Sequence, residues 1–321
     1  MNTKYILIVL GEPFSIFSEL IGKYFSKKIK SNKIIILIGN KKLFDEQLKK
    51  LKYKFKLNQI NNIKDAQKNI INIFDIHFSY NKVFDEISTR SKEYIENSFS
   101  KALDILKKNK KKCILINGPV SKQAFLQKKY FGITEYLSSK TKSKGQVMLI
   151  YNDNLSVSPI TTHIPIKKVA KQISKEKITN NVLKINEFYN NILNRKVSFA
   201  ILGLNPHCET TDKISEENRI IRPAITSLKE RKVDISGPFA PDTFFLKKNI
   251  SKYDVVIGMY HDQVLTPIKT IFNFNAINIT IGLPFIRISP DHGPNSEMLG
   301  KNKSNPSSFI YAMRFIEKLN W

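Results

Sequence analysis

Short apolar runs alternate with longer segments along this chain, and this alternation is its clearest pattern. Runs of four to six residues rich in Ile, Leu and Val have the length and composition of buried strands. They predict strands at Tyr5–Leu10, Ile34–Ile38, Cys113–Ile116, Val147–Tyr151, Val157–Thr161, Phe199–Leu204, Val255–Met259 and Ile277–Ile281. Strands that alternate with helices indicate an α/β architecture with a largely parallel central sheet.

Three of the intervening segments carry clear helix signals. Residues 93–110 place apolar side chains at helical spacing, namely Ile95, Phe99, Ala102, Leu103 and Leu106. A second helix is expected to start near Ser215. Pro223, eight residues later, is expected to kink or restart it. The last helix is predicted to have Asn305 as its N-cap and Pro306 at its first position.

Composition bounds the class of protein. A chain of 321 residues with 41% hydrophobic residues can fold as one large domain or two lobes. The early run Tyr5–Leu10 is far too short to span a membrane. Two cysteines and no C-x-x-C cannot make a disulfide framework, so we expect a reduced, cytoplasmic protein without a membrane partner.

The net charge of +26 comes from lysine, because 46 of the 53 basic residues are Lys and 7 are Arg. Recognition of base edges and bidentate binding of phosphate favour Arg. Lysines spread over nearly every helical segment instead indicate a solvated surface, and we expect no nucleic-acid partner. A basic surface still favours anionic substrates.

Glycine spacing excludes two common nucleotide-binding motifs. No two of the 12 glycines form a G-x-G arrangement, so the Rossmann fingerprint and the Walker P-loop are both absent. A nucleotide cofactor would need another kind of site.

Three of the five histidines follow predicted strands: His163, His207 and His261. The carboxyl ends of strands border the ligand crevice in open α/β sheets. Three imidazoles there could share one divalent metal and leave positions open for substrate oxygens. The alternative is that each histidine is an ordinary interior or surface group.

A second group of polar residues comes later in the chain. Lys269, Asn278 and Arg287 lie at or beside strand ends, and Arg287 follows an apolar run. A charge in that setting needs a partner, which an anionic ligand would supply. An internal ion pair with Asp291 or Glu297 is the alternative.

Several motifs, taken together and in this order, resemble the 4-hydroxythreonine-4-phosphate dehydrogenase family. The resemblance runs nearly end to end. It is carried by Gly11-Glu12-Pro13, NGPVSK at 117–122, Thr134-Glu135, TTHIPI at 161–166, GLNPH at 203–207, GPFAPDTFF at 237–245, MYHDQ at 259–263 and INITIGLPFIRISPDHG at 277–293.

The resemblance implies an α/β/α fold of two subdomains, similar to isocitrate and isopropylmalate dehydrogenases. These enzymes bind NAD without a Rossmann fingerprint. We expect the subdomains to comprise roughly 1–130 plus 270–321, and 131–269. The family further implies a homodimer with its active site at the subunit interface, NAD or NADP as cofactor, and one divalent metal (Zn, Mg or Co) per site.

Site residues carry over from the family position by position. The metal ligands match His163, His207 and His261. The substrate contacts match Thr134, Lys269, Asn278 and Arg287. Asp242 matches the aspartate of the P-x-D-T segment, a neighbour of the metal, and with Lys269 it is a candidate catalytic residue. The loop that meets the cofactor's adenosine part matches His292, Gly293 and Asn295.

The chain also departs from the family pattern. Ile133 stands where the family has a substrate-contacting histidine. Phe17 replaces a glycine of the first loop, and Ser121 replaces the histidine of the G-P-V-H-K segment.

The expected reaction is oxidation of 4-phosphooxy-L-threonine by NAD(P)⁺, followed by loss of CO₂, in pyridoxal 5′-phosphate biosynthesis. Lys269 is the candidate for proton transfer or charge stabilisation near the reacting oxygen. Two alternatives stay open: a different four-carbon substrate, threonate or erythronate 4-phosphate, or a non-enzymatic homologue that serves as a binding protein.

Overall fold

The computed structural model describes residues 4–27, 31–109, 112–127, 129–208, 214–273 and 275–319. They form two compact units: unit 1 is Met1–Lys144 with Leu283–Trp321, and unit 2 is Gly145–Gly282. These boundaries differ from the expected ones, near 130 and 270, for two reasons. Tyr136 packs into the core of unit 1, and residues 277–281 pair with a strand of unit 2.

The described residues contain the following strands and helices. The strands are β1 Tyr5–Val9, β2 Ile34–Gly39, β3 Leu57–Gln59, β4 Ile71–Asp75, β5 Cys113–Asn117, β6 Val147–Tyr151, β7 Ser156–Thr161, β8 Phe199–Leu202, β9 Ile235–Phe239, β10 Val255–Tyr260, β11 Ile277–Ile281 and β12 Arg287–Pro290. The helices are α1 Phe17–Ser26, α2 Lys41–Lys50, α3 Lys92–Lys108, α4 Ile133–Thr141, α5 Val169–Gln172, α6 Lys175–Asn191, α7 Arg222–Glu230, α8 Pro241–Phe244, α9 Lys247–Ile250, α10 His261–Phe272 and α11 Ser307–Lys318.

Unit 1 is built on parallel strands in the order β3-β4-β2-β1-β5-β12. Alternate residues of a strand face opposite sides, and both sides of this sheet are covered by helices. Leu7 and Ile36 pack with α3 residues such as Phe99 in one buried cluster. Elsewhere in the unit, α1 packs on α11, with the rings of Phe17 and Phe309 edge to face at 5.3 Å.

Unit 2 has a mixed sheet in the order β11-β6-β7-β10-β8-β9. β11, β6 and β7 pair antiparallel, whereas β7, β10, β8 and β9 are parallel neighbours. Val157, Ala200 and Val256 from three of the parallel strands pack with Val264 and Ile268 of α10. The carboxyl ends of these parallel strands therefore lie at one edge of the unit 2 sheet.

All eight predicted strands are confirmed, and four further strands escaped prediction. β3 and β12 are only three and four residues long. β4 contains the fully buried Asn72, whose amide donates to the carbonyls of Ile35 and Gln67. β9 contains Gly237 and Pro238, which are tolerated because β9 is an edge strand.

The predicted helices are also present, with small shifts. α3 covers 92–108, and the segment after Ser215 begins with a π-helical turn, Glu217–Ile221, before α7. α11 begins one residue later than expected, yet the Asn305 carboxamide oxygen still accepts the backbone N–H of Ser307 at 2.9 Å. None of the described helices is long and apolar enough to cross a membrane.

The hydrogen bond from the Ser307 N–H to Asn305, which precedes the N-cap Pro306, generates a stability prediction. Asn305→Ala removes the acceptor for the Ser307 N–H and should lower the free energy of unfolding by about 0.5–2 kcal/mol. Asn305→Asp keeps the acceptor and is the matched control, which should stay near the wild-type value in urea denaturation. Equal losses in both variants would show that the carboxamide oxygen does not cap the helix.

Candidate active site

The histidines singled out from the sequence lie at the carboxyl ends of three neighbouring parallel strands of unit 2. His163 is two residues beyond β7, His207 follows β8, and His261 begins α10 directly after β10. Because β10 lies between β7 and β8, all three side chains belong to one edge of the sheet.

Buried side-chain hydrogen bonds fix the strand ends that carry these histidines. The Thr161 hydroxyl donates to the Met259 carbonyl at 2.7 Å, which ties the end of β7 to β10. The Gln263 carboxamide accepts the Met259 N–H at 2.6 Å and donates to the Gly203 carbonyl at 2.8 Å, which ties β10 to the turn after β8. The positions of the three histidine backbones are thereby coupled.

The turn that carries His207 is organised by a buried carboxylate. Glu217 accepts the backbone N–H groups of Leu204 and Asn205 at 2.7 and 2.9 Å. Burial alone would raise the pKa of Glu217, but these hydrogen bonds and those of the Asn205 side chain lower it below its ordinary value. β8 ends at Leu202, two residues earlier than the sequence predicts, and His207 in the following turn has a positive φ of 56°.

Two of the three imidazoles are close to each other. The ring centroids of His163 and His261 are 6.0 Å apart, and the Nδ1 of His261 lies 2.8 Å from a carboxylate oxygen of Asp262. This contact leaves Nε2 of His261 available, as in many metal-bound histidines. Within the described ranges, no three His, Cys, Asp or Glu side chains are grouped closely enough to hold a metal.

The chemistry of the donor set suits a divalent metal, because imidazole nitrogen is a common zinc ligand. His163 and His207 are exposed and His261 is partly exposed, all at one edge of the sheet. Asp242, an exposed residue of the short helix α8, follows β9 at the same edge of the sheet. The fit is thus one of ligand chemistry and of position along the sheet edge.

Two further residues named from the sequence also lie in unit 2. Lys269 is exposed on α10, the helix that begins at His261. Asn278 lies on β11, and its carboxamide oxygen is buried without a hydrogen-bond partner among the described residues. This buried oxygen could accept a hydrogen bond from a bound ligand.

In unit 1, Arg287 is a buried charge at the start of β12. It is 1% exposed, and burial lowers its pKa to about 10, with the Glu135 carboxylate acting in the opposite direction. Its Nε donates to the Asn117 side chain at 2.8 Å, and one terminal nitrogen donates to the Thr134 hydroxyl at 3.2 Å. The charge that acts on the pKa of Arg287 is that of the Glu135 carboxylate.

Ile133 and Thr134 form the first turn of α4 beside this arginine. Ile133 is partly buried and packs against the core of unit 1, so the position that departs from the family supplies apolar contact. Thr134 instead presents its hydroxyl to Arg287.

The loop proposed for the cofactor is also in unit 1. Asn295 has a positive φ of 51°, and a Cβ added at Gly293 would meet nothing within 4 Å. The loop is anchored at both ends: the Pro294 carbonyl accepts the Ile16 N–H, and the Asp291 N–H donates to Ser308. Open space over Gly293 is what the approach of a ligand requires. Beside it, burial lowers the pKa of His292.

The first loop explains how this chain tolerates a phenylalanine in place of glycine. Phe17 is buried and packs on Phe309, and a Cβ added at Gly118 would lie 2.4 Å from the Phe17 ring. The ring therefore fills the space that Gly118 leaves. Glu12 in the same loop is buried, and its pKa is raised to about 7 by burial. One of its oxygens accepts the Ser91 hydroxyl, and the other has no partner among the described residues.

Sequence reasoning did not single out the supporting residues of these sites. Asn117, Asp262, Gln263 and Glu217 each hold a candidate residue or its turn. Asn117, Asp262 and Gln263 lie within the identified motifs. Their position in these motifs was the only sequence signal for their supporting roles.

Comparison with solved structures defines the class of protein. A β-decarboxylating dehydrogenase from Thermococcus kodakarensis superposes with a TM-score of 0.52 at 12% identity, covering 97% of this chain and 82% of that one. An isocitrate dehydrogenase from Methylococcus capsulatus gives 0.50 at 10% identity, covering 98% and 84%. The expected fold is confirmed: the chain has an α/β fold similar to those of these two dehydrogenases.

The family follows from closer matches. The profile of the family described as pyridoxal phosphate biosynthetic protein PdxA matches residues 30–316. A 4-hydroxythreonine-4-phosphate dehydrogenase of Sulfurihydrogenibium sp. is 38% identical over 96% of both chains, and one of Aquifex aeolicus is 33% identical over 99% of both. This chain belongs to the PdxA family, and its relatives are dehydrogenases.

Two further matches refine the comparison. The 4-hydroxythreonine-4-phosphate dehydrogenase structure from Klebsiella pneumoniae superposes with a TM-score of 0.85 at 25% identity, covering 98% of each chain. A D-threonate 4-phosphate dehydrogenase of Salmonella typhimurium is 28% identical, over 99% of this chain and all of that one. Relatives of this chain thus carry two different substrate names.

Glu12 generates a prediction about pH. Its folded-state pKa of about 7 exceeds the ordinary 4.5, so the folded protein binds more protons between those values. Stability should then fall as pH rises through that window. Glu12→Gln should match wild type near pH 5 and exceed it near pH 8 by up to about 3 kcal/mol. Thermal unfolding at both pH values tests this, and a constant difference would contradict it.

Proposed function

We propose that this dehydrogenase oxidises the hydroxyl group of 4-phosphooxy-L-threonine with NAD⁺ or NADP⁺. The carbinol carbon loses a hydride to the nicotinamide, and the hydroxyl loses a proton. The product, 2-amino-3-oxo-4-phosphooxybutanoate, then loses CO₂ to give 3-amino-2-oxopropyl phosphate. The names of the relatives at 38% and 33% identity support this substrate. The observation in this chain that carries the proposal is the set of histidines at three neighbouring strand ends.

His163, His207 and His261 would hold a divalent metal, with zinc, magnesium or cobalt as candidates. When bound, the metal supplies a Lewis acid that lowers the pKa of a hydroxyl group, and the nicotinamide supplies the hydride acceptor. Asp262 orients the His261 ring through Nδ1, 2.8 Å away. Asp242, which follows β9, is proposed to lie beside the metal.

Two other residues of unit 2 would accept the hydroxyl proton of the substrate or form hydrogen bonds with its polar atoms. Lys269, exposed on α10, is proposed to take up the hydroxyl proton or to stabilise negative charge on that oxygen. The buried carboxamide oxygen of Asn278 can accept a hydrogen bond from a substrate hydroxyl or ammonium group.

In unit 1, Arg287 is proposed to bind the phosphate or carboxylate of the substrate. Its guanidinium is already oriented by Asn117 and Thr134, so little conformational entropy is lost on binding an anion. The basic surface of the whole chain adds a long-range attraction for such substrates.

The adenosine part of the cofactor is proposed to contact the loop with His292, Gly293 and Asn295. Its anchored ends and the open space over Gly293 support this placement. The absence of a G-x-G arrangement in the sequence agrees with a site of this kind.

The proposed unit of function is a homodimer. Four of the exposed large apolar residues of unit 2 follow candidate site residues closely in sequence, namely Ile166, Ile214, Leu246 and Ile271. Exposed large apolar residues favour burial by a partner. A second copy covering this edge would bury them and exclude water from the site.

A substrate panel tests the proposed reaction. NADH or NADPH formation is followed with 4-phosphooxy-L-threonine, D-threonate 4-phosphate and erythronate 4-phosphate, each with added zinc, magnesium or cobalt. We expect the highest kcat/KM for 4-phosphooxy-L-threonine. Turnover of none of the three would instead support a binding protein that has lost its activity.

One observation favours a second candidate, D-threonate 4-phosphate. Ile133 lacks the hydrogen-bonding group of the family's histidine, and a relative named for D-threonate 4-phosphate spans the full chain. A substrate with a different polar group near this position would not need that histidine.

His207 provides the test of the metal ligands. His207→Ala should abolish both zinc binding, measured by equilibrium dialysis, and turnover, because it removes one of three ligands. Its circular dichroism should stay that of wild type. His77→Ala, an exposed histidine outside the site, is the matched control. Full activity of metal-free His207→Ala would contradict the assignment.

Ile133 separates the two candidate substrates. For a 4-phosphooxy-L-threonine enzyme, Ile133→His should lower KM and leave kcat intact, because the imidazole regains a partner on the substrate. A charge-assisted hydrogen bond of about 1.5–3 kcal/mol corresponds to a factor of roughly 10–150. Ile133→Leu should change little. A several-fold loss of kcat/KM for 4-phosphooxy-L-threonine in Ile133→His would favour threonate or erythronate 4-phosphate as the substrate.

A further inference from the structure

Unit 1 contains a cavity outside all of the residues assigned above. It has a volume of about 610 Å³ and lies between one stripe of α3, the end of α4, and the segment Pro284–Phe285. Cavities that bind small molecules typically measure about 300–1,000 Å³. The size therefore suits a small organic ligand.

The walls of the cavity combine an apolar and aromatic part with polar and charged side chains. Leu103, Leu106 and Phe285 supply apolar surface. Tyr136 is 3% exposed, yet its hydroxyl has no hydrogen-bond partner in the part of the chain that the structure describes. The Tyr136 ring is buried, and its unpartnered hydroxyl can donate a hydrogen bond to a ligand or accept one.

Charged residues of opposite sign lie on different walls. Glu96 and Asp104 come from α3, whereas Lys140 and Lys142 come from the end of α4. Lys107, in the last turn of α3, adds a third ammonium group. None of these five side chains forms an ion pair with another described residue.

We propose that this cavity binds a small zwitterionic ring compound. Its ring would stack in the apolar space beside Tyr136 and accept or donate a hydrogen bond at the Tyr136 hydroxyl. A protonated ring nitrogen would face the acidic α3 wall, and a phosphate or carboxylate would face Lys140 and Lys142. The Lys140 ammonium already lies 5.5 Å from the centroid of the Tyr136 ring.

Two short segments connect this cavity to Arg287. α4 carries Thr134 in its first turn, and Tyr136, two residues later, lines the cavity. Phe285 precedes Arg287 by two residues, and Arg287 donates to Thr134. A ligand in the cavity should therefore change KM for the anionic substrate more than kcat.

The test uses pyridoxine 5′-phosphate, a ring with a basic nitrogen and a phosphate, which cannot form a Schiff base with lysine. Isothermal titration calorimetry of the full chain should give saturable binding. Pyridoxine and inorganic phosphate, the two halves of the probe, should bind at least about tenfold more weakly.

Variants locate the binding. Ser100→Trp fills the mouth of the cavity from an exposed position and should abolish binding. Tyr136→Phe should weaken it about three- to tenfold through the lost hydrogen bond. Lys82→Ala, which changes an exposed lysine elsewhere in unit 1, should leave it unchanged.

The outcome does not depend on the reaction proposed above. Binding that survives in Arg287→Lys but fails in Ser100→Trp would establish a second site, whatever the substrate. Two results would overturn the proposal: no saturable binding of the probe to wild type at millimolar concentration, or equal affinity in wild type and Ser100→Trp.

Discussion

The parallel pairing of β7, β10 and β8 is the constraint on which the rest of this account depends. Parallel neighbours end at the same edge of a sheet, so residues that are 44 and 54 positions apart in sequence, His163 to His207 and His207 to His261, reach one region. Thr161 and Gln263 make this arrangement rigid through buried hydrogen bonds to the strand ends. The sheet thus brings residues that are distant in sequence to one edge without a local sequence motif.

Arg287 illustrates a different physical solution. A buried guanidinium is costly to desolvate, and its lowered pKa of about 10 reflects that cost. Asn117 and Thr134 offset part of the cost and fix the orientation of the group. An oriented cation is suited to recognise an anion, whereas the many surface lysines can only attract one. This difference is why the proposed anion site rests on one of seven arginines and not on the 46 lysines.

Much of the fold could be predicted from the sequence, because buried parallel strands such as β1 and β10 are continuous apolar runs. β9 could not, since Gly237 and Pro238 mask an edge strand whose pairing depends on β8. The candidate site residues came from their positions at strand ends and from family motifs. Their supports, Asn117 and Asp262, depend on contacts that no periodicity encodes. Glu12 likewise looks like an ordinary surface residue until burial is known.

X-ray absorption at the zinc edge of the zinc-loaded protein tests the central claim most directly. The account predicts one zinc per chain with three imidazole nitrogens at about 2.0–2.1 Å. The imidazole signal should decrease when His163, His207 or His261 is replaced. A zinc surrounded by oxygen ligands alone, or a spectrum unchanged in a variant that lacks all three histidines, would contradict the account.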